Sequence, residues 1–234
     1  MSAMPNPPLS PEVLEALRQF DSPTIANAIE SFRVRDDVEG YASLELRCLF
    51  PERKPMVGYA VTCTADTTMP GDTRPGGLFR IWEALEAAPR PAVLVIQHSG
   101  HDRLRSCMAG DMVCTGLQAY GAAGLVTDAG IRDLTGIRAR TTDFQLFAAG
   151  FVVAHGHTAF IDVNVPVSIC GLPIRPGDLL HGDDSGLVSI PLAIAAQLAE
   201  AAQAVRAREK EYFDYLESSN FNYDGLRQRL GGRK

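Results

Sequence analysis

Residues 110–133 read GDMVCTGLQAYGAAGLVTDAGIRD. Gly110 and Asp111 open a stretch of helical spacing that runs to about residue 120, and glycines at 121 and 124 break it. Gly124-Leu125-Val126-Thr127 then reads as a short buried strand. After it, Asp128-Ala129-Gly130 turns the chain into a second helix start that carries Arg132 and Asp133. Charge therefore stands where a loop or strand gives way to a helix. In open α/β sheets such junctions favour binding sites, because the first N–H groups of a helix lack partners within it and point outward.

Working upstream, residues 91–97 (PAVLVIQ) read as a second buried strand and residues 57–64 (VGYAVTCT) as a third, β-branched and alternating. Leu78, Ile81, Trp82 and Leu85 repeat at helical spacing and stop before Pro89. The connecting loop from Ala65 to Gly77 holds Pro70-Gly71-Asp72 and Pro75-Gly76-Gly77, strong turn punctuation that fits either a site wall or a solvent-exposed connection. Ser10-Pro11 and Ser22-Pro23 each offer a hydroxyl N-cap followed by proline at the first helical position. The Pro-rich residues 1–9 read as a flexible N-terminal arm.

Downstream, residues 151–154 and 165–170 read as short strands. Residues 176–190 read as a hairpin around Asp183-Asp184-Ser185-Gly186. An Ala-rich helix is predicted over 192–216, its apolar positions thinning after Arg206, and residues 217–234 form a C-terminal extension. With no internal repeat and no convincing linker, 10–216 reads as a single α/β domain.

Composition narrows the function. The chain has 234 residues, 46% hydrophobic and 21% charged, enough for one substantial core. A net charge of −6 and a pI near 5.4 argue against a nucleic-acid binder that relies on phosphate neutralisation. Five cysteines, an odd number without a Cys-x-x-Cys pair, and no signal-peptide layout at the start point to a reduced, cytoplasmic protein. No apolar run approaches the length of about 20 residues that a membrane helix needs.

The sequence contains no Gly-x-Gly-x-x-Gly, P-loop or His-Glu-x-x-His. The pairs His98/His101 and His155/His157 have spacings common by chance and lack obvious partner ligands. Lysines occur only at 54, 210 and 234, in positions unsuited to a desolvated Schiff-base amine. If the chain acts on a carbonyl compound, a metal is the expected electrophile. Asp111 and Asp133 suit a hard cation such as Mg2+ or Mn2+, and Arg132 suits a substrate carboxylate. From spacing alone, a helix cap at Asp111 and surface charges at Arg132 and Asp133 are the simpler account, since acidic residues favour first turns.

The 110–133 segment resembles the signature of the family that holds 4-hydroxy-4-methyl-2-oxoglutarate aldolases, related oxaloacetate decarboxylases and the regulator of ribonuclease E activity A (RraA). SPTIANAIE (22–30), VGYAVTCT (57–64) and RPGDLLHGDDSGLVSIP (175–191) support the resemblance, which runs from about residue 20 to 215. It implies an RraA-like α/β/β fold related to swivelling phosphohistidine-type domains, assembled as a homotrimer or homohexamer with sites between subunits. It assigns the metal to Asp133 and the substrate carboxylate to Arg132. Gly110 and the amides of Met112 and Val113 contact the pyruvyl group, and Asp111 orients a metal-bound water for proton transfer.

A small 2-keto acid would then be cleaved beyond C3, leaving a pyruvate enolate common to retro-aldol cleavage and oxaloacetate decarboxylation. Asn27 stands where some family aldolases carry an acid supplied by a neighbouring subunit. Glu209 and Glu211 are alternative candidates for a second acid on the terminal helix. The family also contains non-catalytic regulators that dock on a ribonuclease, so the resemblance admits that second reading.

Overall fold

A computed structural model describes residues 8–69 and 77–230. The turn residues 70–76 and residues 1–7 of the expected arm lie outside the described residues.

The chain opens with helices α1 (Pro11–Leu17) and α2 (Ser22–Glu30), then strands β1 (Arg47–Cys48) and β2 (Met56–Asp66). Next come α3 (Gly77–Ala87), β3 (Ala92–His98), α4 (Asp111–Ala119), β4 (Ala122–Thr127), β5 (Gly130–Ile131) and α5 (Leu134–Arg140). Strands β6 (Gln145–Ala148), β7 (Gly150–Phe151), β8 (Ala159–Val163), β9 (Val167–Ile169), β10 (Leu172–Ile174), β11 (Leu179–Asp183) and β12 (Gly186–Ile190) follow. Helices α6 (Ala195–Leu216) and α7 (Tyr223–Leu230) close the chain.

β2 is the strand on which the layers meet. Its alternation sends Val57 and Tyr59 into one core with α1, α2 and α6, and Val61, Cys63 and Ala65 into another with α3, α4 and α5. Met56 and Ala60 point the other way, into a third core with Phe147, Leu180 and Leu187. Every one of these residues is buried, which is why the strand reads as almost continuously apolar.

The main sheet runs β1-β6-β4-β3-β2-β11-β12, with β8 also paired to β2. β2, β3, β4 and β6 are parallel neighbours, whereas β1, β8, β11 and β12 pair antiparallel. The segment before β1 bridges to the far edge: Tyr41 pairs with Val188 of β12, and Ala42 N–H donates to the Leu187 carbonyl. Chain 41–48 thus spans both sheet edges and nearly closes the sheet into a barrel, shielding edges that would otherwise offer unpaired backbone groups.

The expected strands at 57–64 and 91–97, the hairpin at 176–190 and the helices after residues 78 and 111 are all present. Three expectations need correction. Ser22 does not cap α2: Asp21 does, accepting from Thr24 N–H at 2.8 Å, while the Ser22 hydroxyl is buried 2.9 Å from His181 Nδ1. A carboxylate can serve both the amide and the hydroxyl of Thr24, which frees Ser22 for the interior. The strand expected at 151–154 is limited to Gly150–Phe151, and residues 165–170 are a strand only over Val167–Ile169. β6 was not anticipated, because its four residues lack a period, yet all are buried in the parallel ladder. All five cysteines are free, and among the described residues no helix is long and apolar enough to cross a membrane.

Candidate active site

The two ends of the 110–133 stretch are brought together by a run of backbone bonds. Gly130 N–H donates to the Ser106 carbonyl at 3.0 Å, Met108 N–H to Gly130 at 2.9 Å, and Arg132 N–H to Ala109 at 3.0 Å. The segment before α4 therefore lies alongside the segment before α5. It sets Gly110 and Asp111 beside Arg132 and Asp133, an arrangement the sequence spacing could not show.

All four residues line a cavity of about 430 Å³. Its walls come from segments that follow β2, β3 and β4, and from residues 155–160 leading into β8. Apolar side chains of Leu78, Met108, Val113 and Phe160 supply much of the lining. A mostly apolar cleft with a few convergent charges is the usual form of a small-molecule site.

Asp133 is held in an unusual state. Its backbone is left-handed (φ 60°, ψ 35°), a conformation Asp tolerates better than most residues at a cost of about 1–3 kcal/mol. Although it occupies the N-cap position of α5, its side chain makes no capping bond; Oδ2 lies 3.2 Å from Arg132 Nε instead. The two side chains are 36% and 37% exposed, so the pair is partly open to the cavity. A methyl group on Gly110 would come within 2.7 Å of Asp133 Oδ2, so the missing side chain at Gly110 creates the carboxylate's seat.

Asp111 is the first residue of α4 and lines the same cavity, but Oδ2 pairs with Arg140 of α5 at 3.2 Å and lies against Gly136. Gly110 contributes no side-chain cap, leaving the first-turn amides, including those of Met112 and Val113, without partners inside the helix. The Met112 side chain is 85% exposed. Glu209 and Glu211 do not line the cavity of their own chain: Glu209 accepts from Asn27 Nδ2 at 3.4 Å, and Glu211 lies near Arg208 and Arg229.

The sequence reading missed Cys107, His155 and Thr158 as cavity residues. Burial pushes the Cys107 thiol upward against the pull of Arg132, and its Sγ lies 3.5 Å from the Ala109 carbonyl, so it acts as a packed wall. His155 had carried a local signal, His-Gly-His, but the sequence did not indicate which cavity it faced. Among the described residues, no group of three or more His, Cys, Asp or Glu side chains is placed to hold a metal. Asp133 nevertheless suits magnesium, which commonly binds through one or two carboxylates and keeps its remaining waters.

The chain belongs to the RraA-like family, described as Aldolase/RraA, whose profile matches residues 22–189. A protein of Halalkalibacterium halodurans, provisionally named 4-hydroxy-4-methyl-2-oxoglutarate aldolase, is 34% identical over 136 residues, 58% of this chain and 63% of that protein. Protein DlpA of Legionella pneumophila is 23% identical over 202 residues, 86% of this chain but 31% of its own length. The chain thus spans less than two thirds of these curated relatives.

Among solved structures, an uncharacterized protein from Pseudomonas syringae pv. tomato superposes with a TM-score of 0.72 at 25% identity, covering 98% of both chains. Streptomyces coelicolor RraAS2, described as an unusual member of the RNase ES inhibitor RraA family, superposes with a TM-score of 0.64 at 24% identity, covering 90% of this chain and 98% of that one. The second likeness supports the shared fold.

Proposed function

We propose that this chain is a divalent-metal-dependent lyase that cleaves a small 2-keto acid to pyruvate, by retro-aldol cleavage of the 4-hydroxy-4-methyl-2-oxoglutarate type, by decarboxylation of oxaloacetate, or both. The observation that carries this reading is the juxtaposition of Arg132 and Asp133 with the first turn of α4, which has no side-chain cap, at one cavity. The provisional aldolase names of the relatives support it.

In this reading Asp133 would hold Mg2+ or Mn2+. When bound, the ion supplies electrophilic polarisation of the keto group and charge stabilisation as the carbon–carbon bond breaks. The Nη groups of Arg132 receive the substrate carboxylate, while its Nε stays beside Asp133 and fixes the plane of the guanidinium. The amides of Met112 and Val113 donate to the pyruvyl oxygens, and the absence of a side chain at Gly110 leaves that approach open. Asp111 sits at the cavity edge as a polar orienting group. The apolar wall restricts water around the enolate, favouring charge stabilisation by fixed donors over bulk solvent.

The assembly proposed is a homotrimer or homohexamer in which Glu209 or Glu211 serves a neighbour's cavity. The free cysteines fit a reducing compartment such as the cytoplasm. Pyruvate release from both substrates, with Mg2+ and with a chelator, tests the activity. Metal-dependent pyruvate formation that collapses in Asp133→Ala is expected. If neither substrate yields pyruvate and Asp133→Ala leaves metal affinity unchanged, the lyase assignment fails for these substrates, and the alternative of a non-catalytic, RraA-like ribonuclease-binding protein takes precedence.

A further inference from the structure

The imidazole lining the cavity is that of His155, an exposed side chain whose Nδ1 is occupied by the next residue's carbonyl. His155 lines it together with Arg132 and Asp133, and His155 Nδ1 lies 2.6 Å from the Gly156 carbonyl oxygen. A carbonyl can only accept, so Nδ1 carries the hydrogen. Nε2 of the neutral ring is then left as a lone-pair acceptor.

The carbonyl that fixes this tautomer is itself anchored. Gly156 has φ +63°, and a Cβ there would collide with the Thr67 carbonyl, so the backbone passes close to the end of β2. His157 N–H donates to that same Thr67 carbonyl at 2.8 Å. The Thr67 hydroxyl lies 2.8 Å from Ser106 Oγ and accepts from Cys107 N–H at 2.8 Å. The loop bearing His155 is thus tied, through one threonine, to the segment that positions Gly110 and Asp111. Asp111, the other candidate for proton transfer, has Oδ2 committed to Arg140.

We propose, resting on the lyase reading above, that His155 is the proton-transfer residue of the cleavage. Nε2 takes the proton of the substrate's C4 hydroxyl, and the O–H pair becomes the new C4 carbonyl bond. The C3–C4 bond breaks, and its electron pair moves to C3 to form the enolate of pyruvate. The Nε2–H of the imidazolium then returns the proton to C3, making the pyruvate methyl group and restoring the neutral ring. The same proton leaves oxygen and arrives at carbon, so no external acid, base or oxidant is needed. With oxaloacetate, carbon dioxide leaves from C4, and His155 Nε2, which first takes a proton from solvent, delivers that proton to C3 and returns to its neutral form.

The second half of this sequence can be measured without any cleavage. In D2O with Mg2+, the methyl hydrogens of pyruvate exchange if C3 is deprotonated and reprotonated in the cavity, and proton NMR follows the loss of the methyl signal. His155→Gln is expected to slow exchange by ~10²–10⁴-fold, the usual contribution of a positioned acid or base. Pyruvate affinity, measured separately by calorimetry, should change less than about 3-fold because Arg132 and Asp133 are untouched. Nitrogen-15 NMR of the wild-type imidazole, without substrate or metal, should show hydrogen on Nδ1 when the ring is neutral. Wild-type exchange in a His155→Gln variant that binds pyruvate overturns the assignment while leaving the lyase reading intact, as does an Nε2–H tautomer. A wild-type protein that neither binds pyruvate nor exchanges its methyl hydrogens overturns the lyase reading, and this assignment with it.

Discussion

Gly110→Ala isolates the seat of the Asp133 carboxylate without touching a charged group. The backbone at Gly110 is extended (φ −134°, ψ −168°), a region open to alanine, so the substitution brings no conformational strain. The new methyl group would stand 2.7 Å from Asp133 Oδ2, and the carboxylate must retreat by roughly 0.7 Å to reach ordinary contact at 3.4 Å. It cannot retreat freely, because Oδ2 is also 3.2 Å from Arg132 Nε and the Asp133 backbone is fixed by Arg132 N–H on Ala109 and Ile137 N–H on the Asp133 carbonyl.

A misplacement near 1 Å costs about 10²-fold in a positioned active site, so a fall of about 10- to 100-fold in kcat/KM for pyruvate release is expected. Metal affinity, read by titration calorimetry, should weaken with it. Thermal unfolding should change little, since alanine at a helix N-cap costs about 1 kcal/mol or less relative to glycine. A comparison is Gly136→Ala, where a methyl group would meet Asp111 Oδ2 at 2.7 Å and so displaces the cavity's other acid instead of Asp133. There the helix gains up to ~1 kcal/mol of propensity, and the displaced carboxylate is the one paired with Arg140. A folded Gly110→Ala protein with wild-type turnover and metal affinity would refute the argument that the missing side chain at Gly110 shapes the site.

Arg132→Lys keeps the charge but loses the planar fork, and steady-state kinetics should show at least a tenfold loss in kcat/KM, about 1.4 kcal/mol; unchanged kinetics would mean that Arg132 does not clamp the carboxylate. Burial pushes the His181 imidazole below its ordinary 6.5, outweighing the opposing Asp183 and backbone carbonyls, so the folded protein holds it neutral. The unfolded chain then binds the extra proton, and the stability contributed by neutral His181 is present above pH 6.5 and lost as pH falls from there through the lower folded value. Urea midpoints between pH 7.5 and 5 should fall, with a slope of at most about 1.4 kcal/mol per pH unit from this one group; a His181→Gln protein with the same pH dependence would assign the effect elsewhere. Phe147→Ala, which empties a fully buried position in the interior core, should cost about 3–5 kcal/mol in denaturant unfolding, and a loss below about 1 kcal/mol would show that this core collapses around the gap.

Much of the framework was legible before the structure. Strands β2, β3 and β4 announce themselves by apolar, β-branched runs, and α4 begins at Asp111 as its glycine and acid foretold. What remained illegible depends on contacts between distant residues. β6 carries no period because it is covered on both faces, and Ser22 reads as a helix cap until His181, far along the chain, claims its hydroxyl. Residues 155–158 follow no regular pattern, and the His-Gly-His spacing does not show which cavity His155 would line. Glu209 shows the reverse: it was named for its place on the terminal helix, and within its own chain it meets Asn27 rather than the cavity.

From the sequence alone follow the α/β class, the junctions where charge meets helix starts, and the resemblance that names Asp111, Arg132 and Asp133, because periodicity and turn chemistry act over a few residues. The tertiary structure alone decides that those junctions lie side by side, that Asp111 is drawn toward Arg140, and that Gly110 must lack a side chain beneath Asp133. The parallel backbone bonds between residues 106–109 and 130–132 make that choice. They join segments separated by a helix and a strand, and no local rule specifies such a contact.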